Sequence, residues 1–346
     1  MKSTALMVRE PGRVVLESQE LGAPGPGQVL IEAGYSTLSP GTERHILRGE
    51  EFSPPMAIGY SLVGKVIASG AGVSGFAPGD TVAAVAPHAS HVMVDARAVI
   101  PIPPGTDLEQ AAFFNLGHTA LYGIRQAQPQ LGEAVAVIGQ GIVGLIAARL
   151  ALLAGGLPVI AIDVDEQRLE LSRRLGVELV VNGRDSQRVL GLIRSLPGGG
   201  VPVVIEVTGS RAPLEQALEI VSVRGRIVLL GTTHGGEAVP FDRQLSFKGA
   251  SLIGAYVNSK PWSLLQTDME IRHWPPALAG GSRPYVGSDS VSSVQDIRVI
   301  LDLIRYGRLD LQPLITHRLA PQEAPAAYER VWAQDRSLVG AVIHWQ

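Results

Sequence analysis

VAVIGQGIVG, residues 135 to 144, is the stretch on which the fold of this 346-residue chain turns. Val135 to Ile138 read as a buried strand, and Ile142 to Ala154 carry a helical pattern. Between them Gly139, Gly141 and Gly144 fall in the G-x-G-x-x-G spacing. In such a strand–turn–helix the first glycine permits the tight turn, the second lets the backbone approach a pyrophosphate, and the third lets helix and strand pack closely. The helix start at Ile142 and Val143 then faces the phosphates with free N–H groups and a partial positive charge.

Working outward, a second strand over Pro158 to Ile162 ends in IDVDEQR, with a helix expected from Glu166 to Leu175. Asp163 lies nineteen residues beyond Gly144, where a carboxylate accepts hydrogen bonds from an adenosine ribose. It repels a 2′-phosphate, and Val164 and Asp165 add no cation, so the cofactor reading is NAD(H) rather than NADP(H). Arg168, one helical turn on, is placed to reach the ribose or adenine edge. The plainer alternative is that the glycines only permit a turn and Asp163 caps the next helix. Later strands are expected at Val203 to Val207, Gly225 to Leu230 and Ala250 to Ala255, and alternation of strands with helices signals a parallel sheet.

Composition sets the frame. With 46% hydrophobic, 18% charged and 5% aromatic residues, the interior must be built from Val, Leu, Ile and Ala, as in strands covered by helices. The length favours two domains. A net charge of -3 without a Lys/Arg run gives no attraction to nucleic acid or membrane surfaces. The apolar patch in MKSTALMVREPG is too short for a signal peptide, so a cytoplasmic protein is expected. The absence of cysteine excludes disulfides and thiolate-bound zinc.

Residues 1 to 120 read differently, as short strands broken by Pro and Gly, consistent with a curved, irregular barrel. After Ala255 comes a segment rich in Pro, Gly and Ser. It is followed by the amphipathic VQDIRVILDLIRYG, with Ile297, Ile300, Leu301 and Ile304 on one face, then a helix and a closing strand.

FAPGDTV, VIEVTGSRAPLEQALEIVSVRGRIVLLG, LSFKGASLIGA and LITHRL occur in that order, and together with the glycine motif they make the chain resemble the medium-chain dehydrogenase/reductase, alcohol dehydrogenase-like superfamily. STLSPGTERH further resembles the branch holding bacteriochlorophyllide a dehydrogenase and sugar or cyclitol dehydrogenases. The resemblance implies an α/β protein with a GroES-like irregular β-barrel catalytic domain and a Rossmann doubly wound parallel sheet. The expected domains are 1–122 (GroES-like, first part), 123–261 (Rossmann) and 262–346 (return to the catalytic domain), with an extended segment at about 262–290. Thr119, Thr208 and Gly231 join the expected cofactor contacts. A homodimer through the strand near Ala250 to Ala255 is expected, with a small-molecule substrate.

The resemblance also shows what is missing. Zinc-dependent members carry a cysteine before G-T-D, where this chain has Pro40 before Gly41-Thr42-Glu43; they carry G-H-E where it has Gly59-Tyr60-Ser61; and the third ligand falls near Asn115. The four-cysteine structural zinc lobe is absent as well, so neither catalytic nor structural zinc is expected. Thr42 and His45 match a hydroxyl and a histidine that form a proton relay in zinc alcohol dehydrogenases. With the relay kept and the metal lost, Tyr60 and His118 become candidates to handle the proton at the substrate oxygen, provided their surroundings move their pKa values toward working pH, and Glu43 joins Thr42 and His45 among the candidate catalytic residues.

Plainer roles compete at each position. Thr42 and Glu43 can organise a turn, with Glu43 paired to Arg44 or Arg48; His45 can be a surface residue, Tyr60 a core aromatic, and His118 a cap or brace. His88 and His91 in APHASHV read as an incidental pair, since no carboxylate or thiolate accompanies them. Arg272, His273 and Trp274 belong either to a lobe over the substrate or to a surface excursion. The expectation is an NAD(H)-dependent, zinc-independent oxidoreductase acting on a secondary alcohol or ketone, such as a sugar or cyclitol. The alternatives are a zinc-free quinone or enoyl reductase and a noncatalytic NAD(H)-binding protein.

Overall fold

The structure, a computed structural model, describes residues 1–49, 53–231, 241–260, 262, 268–269, 283–284 and 292–346. The chain divides into two compact units, Met1–Leu116 with Leu301–Gln346, and Gly117–Ile300.

The second unit is built on a six-stranded sheet. Its order is Leu179–Asn182, Val159–Asp163, Val135–Ile138, Val201–Glu206, Val221–Leu229 and Ser251–Gly254, and every neighbouring pair is parallel. Val135–Ile138 is buried at every position, as a strand covered on both faces requires. The helix Ile142–Leu153 follows it, apolar nearly all round and deeply buried. Sequence order reverses between Val135–Ile138 and Val201–Glu206, so the crevice that doubly wound sheets use for ligands opens at the carboxyl ends of these two strands. Helices Glu166–Arg174, Ser186–Arg194 and Arg211–Ile220 complete the alternation. One core runs under it through Ile138, Ile160, Ile162, Val204, Leu218 and Ile227.

The first unit holds a three-stranded antiparallel sheet, Arg13–Glu20, Lys2–Glu10 and Met56–Ala57. Beside it is a seven-stranded sheet centred on Gln28–Leu38, which pairs Leu62–Ser69, His91–Asp95 and the closing strand Ala341–His344. The irregular barrel implied by the short N-terminal strands is this curved, bulged sheet. After Gln28–Leu38 comes the helix Pro40–Arg48, opened by Pro at its first turn and ended by Gly49 at φ 70°. Its inner face carries Glu43, Ile46 and Leu47, which puts a carboxylate among apolar residues.

Small corrections to the expected boundaries follow from local chemistry. The strand expected over Gly225 to Leu230 runs over Val221–Leu229 instead, interrupted in its pairing where Arg224 adopts the left-handed region at φ 59°. The strand expected over Ala250 to Ala255 is shorter, Ser251–Gly254, and lies at the sheet edge. Ile297, Ile300, Leu301 and Ile304 are all buried on the helix Ser293–Arg305. Arg272, His273 and Trp274 lie outside the described residues; within the expected extended segment, Asp268–Met269 pairs with Arg283–Pro284. Among the described residues no helix is long and apolar enough to cross a membrane.

Candidate functional site

The glycine motif forms a cradle whose three positions differ as its chemistry requires. A Cβ on Gly139, whose φ is 96°, would lie 2.6 Å from Thr208 Cγ2, and one on Gly144 would lie 1.8 Å from the Gly139 carbonyl oxygen. Gly141 has nothing within 4 Å of a Cβ position. Two glycines are thus consumed by packing, and the third leaves open space at the start of the helix Ile142–Leu153, where a pyrophosphate would approach the backbone. Ile142 is buried and Val143 half-buried behind it.

Asp163 is buried at the end of its strand. One oxygen accepts the Gln140 amide N–H at 2.5 Å and the other the Asp165 N–H at 3.0 Å, so the carboxylate is already aimed beside the glycine turn, with lone pairs left for hydroxyl donors. Gln140 was not singled out by its motif, being an x position. It is fully buried, donates to the Val137 carbonyl at 2.8 Å and accepts from Ser172 Oγ at 3.0 Å. Asp165, not Asp163, caps the next helix, accepting from Gln167 N and Arg168 N. Arg168 stands half-buried in that helix, its Nε without a hydrogen-bond partner among the described residues.

The far side of the crevice holds Thr208 and Gly231. Buried Glu206 accepts from Thr208 N at 2.7 Å, Gly209 N at 3.1 Å and the Thr208 hydroxyl, while burial raises its pKa. Gly231 donates its N–H to the Glu206 carbonyl at 3.0 Å, and a Cβ there would lie 2.4 Å from Gly209 N. The cradle residues therefore fit a dinucleotide.

His118, Tyr122 and Arg125 share one face of the helix Phe114–Ala127, by their spacing. Arg125 Nε donates to Asp296 Oδ1 at 2.7 Å, and the buried Lys260 ammonium pairs with the other oxygen of Asp296. Lys260 also sits 5.3 Å over the Tyr122 ring. His118 is 4% exposed, and neither ring nitrogen has a hydrogen-bond partner among the described residues. Burial, helped by the Lys260 charge, lowers its pKa to about 3. Thr119, next to it, is half-buried.

In the first unit, Glu43 is fully buried and surrounded by donors. Ser39 N–H reaches Oε1 at 3.0 Å, His88 Nε2 lies 3.4 Å from the same oxygen, and the Tyr328 hydroxyl donates to Oε2 at 2.5 Å. The turn pairing expected with Arg44 or Arg48 is thus replaced by a buried network, because Glu43 shares the inward face of Ile46 and Leu47. Tyr60 hydrogen-bonds the Ser39 and Thr42 side chains, and burial, with the Glu43 charge, raises its pKa well above the ordinary phenol value. Thr42 is exposed and His45 half-buried on the helix Pro40–Arg48.

Two expectations need correction. Neither Tyr60 nor His118 moves toward neutral pH: burial disfavours the charged form of each, so the phenol rises and the imidazole falls. His88, dismissed as half of an incidental pair, is fully buried with both ring nitrogens engaged, and His91 is turned to other partners, Ser90 and Glu32. Sequence spacing carries no signal for His88 or Tyr328, whose partner Glu43 is remote along the chain. The inward face of Glu43 was the one clue available.

The zinc ligand positions do not fit a metal. Pro40 offers no donor, Tyr60 is held as a phenol, and the Asn115 amide donates to the Tyr60 carbonyl at 3.1 Å. Ser61 donates to the Ala112 carbonyl at 2.6 Å. Among the described residues no group of three or more His, Cys, Asp or Glu is placed to hold a metal ion.

A parallel sheet in dinucleotide-binding order, a glycine cradle and the buried carboxylate of Asp163 define a nucleotide-binding fold in one unit. Comparison with known proteins agrees: residues 25–104 match the model of the alcohol dehydrogenase GroES-like domain, and residues 143–271 that of the zinc-binding dehydrogenase. An alcohol dehydrogenase of Cupriavidus necator is 27% identical, covering 95% of this chain and 94% of that protein. The L-threonine 3-dehydrogenase of Anaeromyxobacter dehalogenans is 30% identical over 74% of this chain and 84% of its own length. A zinc-binding dehydrogenase structure from Sinorhizobium meliloti, bound to NADP, superposes with a TM-score of 0.79 at 22% identity and covers 99% of both chains. The chain belongs to the medium-chain dehydrogenase/reductase superfamily and is an alcohol dehydrogenase-type oxidoreductase.

Proposed function

We propose that this enzyme uses NAD(H), works without zinc, and interconverts a polar secondary alcohol and its ketone. The observation that carries the reading is Tyr60. Where the resemblance expects a metal-binding histidine stands a phenol hydrogen-bonded to Ser39 and Thr42 and kept protonated by burial and the Glu43 charge.

When bound, the nicotinamide supplies or takes the hydride. Gly141 and the N–H groups of Ile142 and Val143 would hold the pyrophosphate, Asp163 would take the ribose hydroxyls, and Thr119, Thr208 and Gly231 would contact the nicotinamide. The Tyr60 hydroxyl donates a hydrogen bond to the substrate oxygen, the task a metal performs in zinc members as a Lewis acid. Thr42, bonded to that hydroxyl, and His45 on the same helix carry the proton to and from solvent. His118, neutral and with both nitrogens unsatisfied, offers one donor and one acceptor to the reacting groups.

One observation favours a second cofactor choice. The Sinorhizobium protein holds NADP, and the unpartnered Nε of Arg168 is a cation that a 2′-phosphate would meet. Asp163 beside it opposes that phosphate, which keeps NAD(H) first. Association into a homodimer through the edge strand Ser251–Gly254 is part of the reading.

The test is turnover by metal-stripped protein with NAD+ or NADP+ and a panel of secondary alcohols, cyclitols, sugars and L-threonine, followed by nicotinamide absorbance. NAD+-dependent turnover that survives chelation is the expected result. Activity restored only by zinc would overturn the metal-free reading, and NADH binding without turnover on any substrate would favour a noncatalytic role.

A further inference from the structure

The geometry points to His88 as the residue that positions Tyr60, with its ring packed against the Gly59 backbone and its Nε2–H holding Glu43. This rests on the reading of Tyr60 as the donor to the substrate oxygen, and extends it to a residue that touches neither substrate nor cofactor.

Gly59 has φ 106°, and a Cβ on it would lie 2.4 Å from His88 Cδ2. The ring thus fills the place of a side chain at the residue preceding Tyr60. His88 cannot drift from that spot, because its N–H donates to the Ile58 carbonyl at 2.8 Å and its own carbonyl accepts from Leu6 N at 2.9 Å. Asn115 holds the Tyr60 carbonyl from the other side at 3.1 Å.

Trp345 Nε1–H can only donate, and it does so to Ser36 Oγ at 2.9 Å. The Ser36 hydroxyl proton is then free to point at His88 Nδ1, 2.8 Å away. That leaves the ring proton on Nε2, facing Glu43 Oε1 at 3.4 Å. With Ser39 N–H and the Tyr328 hydroxyl, Glu43 then accepts from three donors, and every group from Trp345 to Glu43 has a partner. The reverse tautomer would set a bare Nε2 against a carboxylate oxygen, two acceptors with no proton between them. The chain of bonds thus runs from the Trp345 indole to the carboxylate whose charge reaches Tyr60.

The two ring nitrogens can be separated by substitution. In His88→Gln the amide nitrogen stands where Nε2 was and keeps the bond to Glu43, whereas in His88→Asn the shorter amide reaches only toward Ser36. With ζ-13C-labelled tyrosine, the Tyr60 resonance is identified as the one missing in Tyr60→Phe. His88→Asn is expected to displace it and His88→Gln to leave it in place, in proteins that still bind NADH like the wild type. The 15N spectrum of the wild-type His88 ring is expected to show a protonated Nε2 and a pyridine-type Nδ1. An unmoved Tyr60 resonance in His88→Asn, or any other ring pattern, would overturn the inference.

Kinetics with NAD+ and the fastest alcohol of the panel add a separate readout. His88→Asn is expected to lower kcat about tenfold with KM little changed, as a misplaced donor would. The double variant Tyr60→Phe/His88→Asn is expected to be no slower than Tyr60→Phe alone; additive losses would overturn the inference. Wild-type turnover by Tyr60→Phe would instead remove the role given to Tyr60 and leave the spectroscopic link between the two residues standing.

Discussion

Each unit of this protein buries a histidine, and the two are held in opposite ways. His88 is fully buried with both ring nitrogens spoken for, by Ser36 on one side and Glu43 on the other. His118 is nearly as deeply buried, yet neither nitrogen has a partner among the described residues, and the charge that acts on it is the Lys260 ammonium, itself tied to Asp296. A satisfied buried network rigidifies what surrounds it, whereas an unsatisfied buried polar group is a cost that the fold carries for a reason outside its own stability. His88 is therefore braced by its own unit, whereas His118 contributes a buried ring whose nitrogens no described residue engages.

The sharpest way to probe the His118 side is to remove its charge pair. Asp296→Ala leaves Lys260 buried without its partner and is expected to cost about 3–5 kcal/mol in denaturant unfolding, the most damaging change considered. A loss below about 1 kcal/mol would mean that Lys260 is hydrated rather than paired.

The histidines themselves then give the direct contrast. His88→Leu strips a partner from both Ser36 and Glu43 and is expected to destabilise by about 1–3 kcal/mol. His118→Leu removes a group with no partner to strand, so its stability is expected to match or exceed the wild type while turnover falls. Equal losses of stability in the two variants would break the distinction.

Acid stability probes the same point through protons. The His118 pKa of about 3 lies below its unfolded value near 6.5, so below pH 6.5 the unfolded chain binds a proton that the folded chain refuses. This contribution to stability is present above pH 6.5 and is lost as pH falls toward 3, at a slope of at most about 1.4 kcal/mol per pH unit. In His118→Leu that part of the slope should vanish, which a series of unfolding curves between these limits will show. The smallest effect is expected at the end of the His88 chain, where Trp345→Phe deletes one hydrogen bond and should cost about 1 kcal/mol.

How far the sequence could be read depended on how local the chemistry was. The glycine cradle, Asp163 and the alternation from Val135 to Arg174 were legible because turn, helix start and carboxylate follow one another within a single strand–helix–strand unit. The strand Leu179–Asn182 is only four residues long and lies between helices, too short for a pattern to stand out. Gln140 occupied a position the motif leaves open. Glu43 was marked as a candidate, but its inward direction is a matter of the helix face it shares with Ile46 and Leu47, and its partners His88 and Tyr328 come from distant loops and helices.

By itself the sequence determined a parallel dinucleotide-binding sheet and a barrel-like companion, because each follows from residue identity and near-neighbour spacing, while the match of Pro40, Tyr60 and Asn115 to zinc-ligand positions came from a resemblance. Only the tertiary structure decided which way the proton-handling groups are tuned. Tyr60 and His118 are both moved away from neutral pH, since burial and the charges of Glu43 and Lys260 act through space and leave no trace in the order of residues.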